Sequence, residues 1–243
     1  MKLRNIIIVV LLAAVVLTFH IVRRNSVMRG IESEVRPAEV VRLLTPSEVD
    51  SLILQAAPTL RSTRIKDIDK KAVAASLLKC PYIDKVDVGL TTGGKLTATV
   101  WQHVPVMRVF LNDDEFYLSR KGTVMPLAPA HYCHLLVGSV DPQQTDEVRS
   151  LASLWAVASF LHDNPKYGDI FDQAHVSAGG DIVLVPKLGD FSVIVGDTAC
   201  LKEKFENLWA FLDQGISQTG WDIYSTVNLK YRGQVVATKR EGF

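Results

Sequence analysis

The chain has 243 residues, 48% of them hydrophobic and 22% charged, with 27 Lys and Arg against 26 Asp and Glu. All the acidic residues follow Arg24, while Lys2, Arg4, Arg23 and Arg24 precede Asn25. The greater part of the chain is therefore mildly acidic, which argues against the basic stripe that a nucleic-acid-binding surface needs. Cys80, Cys133 and Cys200 are odd in number and widely spaced, unlike a disulfide framework; they read as small buried thiols, with one pair able to form in an oxidising compartment.

Residues Ile6 to Val22 read IIIVVLLAAVVLTFHIV, without a charge. At ~1.5 Å per residue they give roughly 26 Å of helix, the lower end of what crosses a bilayer core. Lys2 and Arg4 lie before this run and Arg23, Arg24 and Arg29 after it, where long cationic side chains can reach the headgroups. No small-x-small cleavage pattern follows, so an uncleaved anchor is expected rather than a signal peptide. The flanking charges are similar on both sides and give no direction of insertion. Residues 1–5 are then a short tail, 6–22 a single N-terminal transmembrane helix, and 23–34 a polar juxtamembrane tether.

A strand is expected from Val35 to Leu43. Thr45-Pro46-Ser47-Glu48 then predicts a helix start, with Thr45 as cap, proline in the first turn and glutamate at the capping-box position. Val49, Leu52, Ile53 and Ala56 form its apolar stripe. A second helix is expected over Asp69–Lys79, with Ala72, Val73, Leu77 and Leu78 facing inward. Strands over Lys85–Leu90 and Leu96–Gln102 are joined by the hairpin sequence Thr91-Thr92-Gly93-Gly94. Residues 35–104 thus read as a β-α-α-β-β domain with two helices on one face of a three-stranded sheet.

Residues 105–243 read as a mixed α/β domain with a mostly antiparallel sheet, making the whole an α+β chain. Strands are expected at Val106–Leu111 and Phe116–Ser119, around the turn Asn112–Glu115, with further turns at Lys121-Gly122 and Met125-Pro126. A long helix from Pro142 to about His162 places Val148, Leu151, Trp155, Ala158 and Leu161 on one stripe. Strands follow at Gln173–Ser177, Asp181–Val185 and Phe191–Val195. Asp197 or Thr198 can cap a helix carrying Leu201, Phe205, Leu208, Trp209 and Leu212, ended by Gly215. The closing strands are Ser225–Tyr231 and Gln234–Lys239. Trp155 and Trp209 are expected as core aromatics.

Enzyme signatures are sparse. Ser76-Leu77-Leu78-Lys79 fits the S-x-x-K pair of penicillin-binding enzymes, but the S-x-N and K-[ST]-G elements are missing. His131, Cys133 and His134 cluster in the manner of metal ligands without a fourth ligand at the usual spacing. His20 lies three residues from Arg23 and reads as interfacial. Asp113, Asp114 and Glu115 read as a charged hairpin tip. No cofactor, metal site or catalytic residue is implied.

Taken together, the order of elements resembles the bacterial cell-division family FtsQ/DivIB, particularly its Bacteroidetes-like members. The first soluble domain resembles a POTRA domain, in which a helix ends at a Pro-aromatic pair, here Leu77-Leu78-Lys79-Cys80-Pro81-Tyr82-Ile83. Val86-Asp87-Val88 and Leu96 to Pro105 supply the short strand and the strand closing on proline. Phe116 to Pro126, then Ile194-Val195-Gly196, Lys204-Phe205 and Leu208, and the terminal Val227 to Tyr231 and Gln234 to Ala237, fit the family's later elements. Gln102 stands where the family carries an acidic residue, His103 where arginine is common, and Ser119 where aspartate often precedes the Gly turn.

The resemblance implies a non-enzymatic divisome scaffold, single-pass in the inner membrane at the division septum. Its N-terminus would lie in the cytoplasm and its ectodomain in the periplasm. The implied partners are FtsB/FtsL-like coiled-coil proteins and the septal peptidoglycan synthesis machinery. Residues Tyr231, Gln234, Val235, Val236, Ala237, Thr238 and Lys239 are the expected partner-binding edge, since an exposed edge strand offers unpaired N–H and C=O groups. Val235 and Ala237 should lie on one face of it, and Gln234, Val236 and Thr238 on the other. Two other readings compete: a POTRA-type module of envelope protein assembly or secretion, and an anchored envelope hydrolase.

Overall fold

The computed structural model describes residues 2–37, 41–128, 131, 134–216 and 223–240. Two units separate at the boundary between His103 and Val104.

In the first unit, helix α1 (Lys2–Asn25) contains the apolar run. Among the described residues no helix is long and apolar enough to cross a membrane. The large apolar side chains of α1 are nonetheless exposed, Phe19 at 69%.

Strand β1 covers Gly30–Arg36, where the sequence suggested a tether as far as Glu34 and a strand only from Val35. The two-residue alternation of Ile31, Ser33 and Val35 against Glu32, Glu34 and Arg36 carries it. Pro37, with no N–H to donate, follows the last residue of β1; of the expected strand Val35–Leu43, residues 38–40 lie outside the described residues. Helix α2 (Pro46–Ala56) begins at the expected capping box: Thr45 Oγ1 accepts from Glu48 N–H while Glu48 reaches back to Thr45 N–H. Asp69 caps α3 (Lys70–Leu77), accepting from the N–H groups of Lys71 and Ala72. Val73 and Leu77, four residues apart, are its buried face, whereas Ala72 and Leu78 point to solvent.

Strands β2 (Ile83–Leu90) and β3 (Lys95–Gln102) form the expected hairpin, with Gly94 at φ +80° in its turn. The sheet order is β1-β3-β2, and β1 runs parallel to β3 from Gly30↔Lys95 to Arg36↔Trp101. Val49, Ile53, Leu77, Leu96 and Val100 form the centre of this unit's core. The connectivity is β-α-α-β-β.

The second unit contains β4 (Pro105–Leu111), β5 (Asp114–Ser119), β6 (Val124–Pro126), β7 (Leu136–Val140), β8 (Phe171–Val176), β9 (Ile182–Pro186), β10 (Ser192–Gly196), β11 (Tyr224–Asn228) and β12 (Val236–Lys239). Its helices are α4 (Glu147–Asp163), the short α5 (Pro165–Gly168) and α6 (Leu201–Phe211). The strands lie in one sheet in the order β12-β11-β10-β9-β8-β7-β4-β5-β6. The sheet is mixed: β10–β11, β4–β7 and β7–β8 are parallel, and the remaining neighbours antiparallel.

Several readings of this unit are corrected. Met125-Pro126 is part of β6, not a turn. Central strand β7 follows directly on the loop through His134 and Leu135, and its middle residue is Gly138. A Cβ there would lie 2.5 Å from Met107 Sδ, so the glycine lets β7 sit against β4's buried side chain.

Helix α4 also starts later than expected, capped by Asp146, and buries Ser150, Leu154, Val157, Ala158 and Leu161. Val148 is 81% exposed and Trp155 37% exposed, so the inward stripe is rotated from the expected one. Apolar residues occur all round this helix, and periodicity alone does not choose among its faces. Trp155 instead lies over Gly122, in the β5–β6 turn, and its Nε1 donates to Arg120 O at 3.3 Å.

Candidate functional site: the terminal hairpin

The turn between β11 and β12 is longer than the sequence suggested, because β11 ends at Asn228 and β12 starts at Val236. Gly233, at φ +69°, makes its bend, and Gln234 N–H donates to Tyr231 O at 3.2 Å. Lys230 holds the near side: its Nζ donates to Asp181 Oδ2 at 2.7 Å, and its stem crosses Gly196 so closely that a Cβ there would lie 2.6 Å from Lys230 Cγ. The Asp181 carboxylate raises the Lys230 pKa above the ordinary lysine value through that hydrogen bond and its charge. At the far end, Arg240 N–H donates to Ile223 O and its guanidinium pairs with Asp190 at 2.7 Å.

Strand β12 is the last strand of the sheet, with no strand beyond it among the described residues. The direction of its backbone groups follows from β11. Leu229 N–H donates to Ile194 O on the β10 side at 2.8 Å, so Val227 also points its peptide groups at β10. Thr226 and Asn228 then point at β12, bonding Thr238 and Val236, their register partners. By the alternation of an antiparallel ladder, Ala237 turns its N–H and C=O outward.

The side chains divide as expected. Val235 and Ala237 are half-buried and pack on the core, while Gln234, Val236 and Thr238 are exposed, as are Tyr231 and Lys239. Val227 and Leu229 beneath them are buried with Phe205 and Leu208 of α6. This packing fixes the hairpin against the helix.

Beside the turn lies a cavity of about 180 Å³ whose lining includes Asp197, Glu203, Lys204, Leu229, Tyr231 and Arg232. Its α6 side was not evident from sequence, because nothing local links residues 197–207 to the terminal turn. Neither Asp197 nor Thr198 caps α6. The N-cap is Cys200, in the left-handed region at φ 51°. Asp197 instead accepts from Lys204 Nζ at 2.7 Å, and the same ammonium donates to the carbonyls of Val195 and Asp197, both at 2.9 Å. The Lys204 hydrogen bond holds the Asp197 carboxyl below its usual value.

The other candidates resolve into local structure. Ser76 Oγ donates to Val73 O at 2.8 Å, one turn back on its own helix. Cys133 lies outside the described residues, as does any geometry of the His131-Cys133-His134 cluster that depends on it. Among the described residues no group of three or more His, Cys, Asp or Glu side chains could hold a metal ion. Glu115 pairs with Arg108 across the β4–β5 ladder, leaving Asp113 and Asp114 at the tip. His20 is exposed on α1, and Cys200 is exposed. Cys80 is half-buried, and burial pushes its thiol pKa up. Trp209 is half-buried, edge-on to Tyr167 and beneath Lys166 Nζ at 4.3 Å.

A protein-family model described as FtsQ/DivIB, C-terminal related, matches residues 104–238. The chain belongs to this family. The match begins at the residue where the second unit begins and runs into β12. Membership assigns the chain to cell division, implies partners among division proteins, and places it in a family that is generally non-enzymatic. No individual curated protein matches it.

Two positions at which the chain departs from the FtsQ/DivIB pattern have structural explanations. Ser119 is fully buried, and its Oγ accepts from Thr123 N–H at 2.9 Å and Lys121 N–H at 3.2 Å. It thereby organises the Gly122 turn as an aspartate would, without burying a charge. Gln102 is 4% exposed; its Oε1 accepts from Leu43 N–H at 2.9 Å and its Nε2 donates to Val41 O at 2.6 Å. A carboxylate could accept the first of these bonds but not donate the second.

Proposed function

We propose that this FtsQ/DivIB relative is a non-enzymatic scaffold of the divisome that captures a strand of a coiled-coil FtsB/FtsL-like partner on β12, and through it restrains septal peptidoglycan synthesis. The observation that carries this reading is the outer edge of β12, on which Ala237 presents its N–H and C=O outward. A partner strand can extend the ladder there. Val236, 42% exposed, and Tyr231, 57% exposed, offer apolar contacts beside that edge. The cavity under Tyr231 has the size to receive one partner side chain.

In this proposal residues 6–22 anchor the protein in the inner membrane at the septum, with the N-terminus in the cytoplasm and the rest periplasmic. The exposed apolar surface from Ile7 to Val22 supports an anchor, since such a face is otherwise left in water. Residues 23–29 lead from it, 30–104, which include β1, act as the POTRA domain, and 105–243 as the FtsQ-type β domain. The β-α-α-β-β connectivity of the first unit supports the POTRA reading.

The test is co-purification of the full chain with its FtsB-like partner. Ala237→Pro removes only an outward N–H and leaves the bonds to β11 in place. It is expected to abolish capture while the chain remains folded by circular dichroism. Proline at Val235 is a poorer probe, because that side chain packs on the core. A folded Ala237→Pro chain that retains the partner refutes the edge as the binding site. For the orientation, a reporter fused after Phe243 should be active only when exported.

A further inference from the structure

The segment that leaves α1 does not hang free. Ile65 N–H donates to Ser26 O at 3.0 Å, Met28 N–H to Thr63 O at 3.2 Å, and Arg29 N–H to Gly94 O at 2.9 Å. Val27 and Arg64 form a bridge between these stretches. Four consecutive residues after the helix are thus tied to two loops that the chain reaches much later. Beside them is a cavity of about 260 Å³, lined by Phe19 and Val22 of α1 and by Ile65, Gly93 and Gly94 of the loops. Phe19 lies six residues before the end of α1, roughly 9 Å along its axis. The loops therefore reach alongside the last turns of the apolar helix.

That arrangement brings together cations from two parts of the sequence. Arg24 and Arg29 flank the helix end, and Arg61, Arg64 and Lys66 come from the 61–66 stretch; all five are exposed. Among the described residues none of the five has an ion-pair partner. Asp67, the acidic residue next to Lys66, lines a different cleft with Leu60 and Val73. The patch is thus both cationic and continuous with a bare apolar helix.

We infer that Arg24, Arg29, Arg61, Arg64 and Lys66 form a binding surface for anionic phospholipid headgroups, which holds the first unit at a fixed attitude on the bilayer. The inference rests on the proposed anchoring of residues 6–22. If that run spans the hydrocarbon, Phe19 and Val22 lie at its margin, and the loops beside them lie at the depth of the phosphates. Cations at an anionic surface contribute ~1 kcal/mol each, about fivefold in affinity per side chain. Their effect fades in high salt as the Debye length contracts to ~3 Å at 1 M.

The experiment uses the full chain in lipid nanodiscs, either of pure phosphatidylcholine or with increasing phosphatidylglycerol, and follows backbone hydrogen exchange by mass spectrometry. Phosphatidylglycerol is expected to slow exchange in residues 61–66 and 91–95, and 1 M salt to reverse this. Each of Arg61→Gln, Arg64→Gln and Lys66→Gln should raise the phosphatidylglycerol fraction for half-protection about fivefold, an effect of ~1 kcal/mol per cation. Equal exchange in the two lipids, in a chain that has entered both discs, overturns the headgroup surface. Failure to enter neutral discs overturns the anchor itself, so the two ideas fail separately.

Discussion

Gln102 provides a sharp test of how the first unit is closed. Its amide, 4% exposed, accepts from Leu43 N–H at 2.9 Å and donates to Val41 O at 2.6 Å. Gln102→Leu keeps much of the volume but orphans a buried donor and a part-buried acceptor. Each unsatisfied group costs about 1–3 kcal/mol, partly offset by the leucine's own burial. A net loss of ~2–4 kcal/mol lowers the melting temperature of a unit of this size by on the order of 10 °C. Gln102→Glu adds a pH signature. Protonated, the carboxyl can donate to Val41 O and accept from Leu43 N–H; ionised, it cannot donate and places a charge in the core. The folded-state pKa should therefore rise above the ordinary glutamate value of ~4.3. The variant is then most stable below that value and loses stability as pH rises through the raised one. Thermal unfolding of the full chain at pH 4 and pH 8, with amide exchange of residues 41–44, reads both effects. Wild-type stability and exchange in Gln102→Leu, or a pH-independent deficit in Gln102→Glu, would refute the reasoning.

Two further outcomes follow from local geometry. Gly138→Ala drives a methyl to within 2.5 Å of Met107 Sδ, and overpacking of this kind costs about 1–3 kcal/mol, measured by denaturant unfolding; Met107→Ala in the same chain should recover part of it. The Asp197 carboxyl, held low chiefly by Lys204, contributes stability that is present above the unfolded aspartate pKa and lost as pH falls through the folded one. Asp197→Asn should flatten the acid limb of the stability curve slightly, the effect being small because the pair is solvent-screened; an unchanged acid limb counts against the Lys204 contact.

What could be read from sequence was local. The Thr45–Glu48 capping box and the Thr91–Gly94 hairpin involve residues within four positions of one another, and both formed as the residues dictate. β1 was displaced because its partner, β3, lies more than sixty residues away, so its short alternating pattern resembled a polar tether. The α6 cap failed because Asp197 is engaged by Lys204. At the terminal hairpin, the two-residue alternation gave the correct faces for Val235 to Thr238. The cavity beside Tyr231 needed the meeting of α6 and the β11–β12 turn, which no local pattern encodes.

The two ends of the nine-stranded sheet are unequal. β6 covers only Val124–Pro126, and its proline brings no amide hydrogen to a neighbour. β12 is longer and has no proline. Head-to-tail stacking of sheets into a filament needs two receptive borders on every copy, and among the described residues the β6 border is the shorter and lacks the amide hydrogen of Pro126. Two copies meeting through β12 would use up the receptive border of both, so self-association by that route stops at a pair. The shorter border offers less to a neighbouring sheet than β12 does, which weighs against growth by stacking.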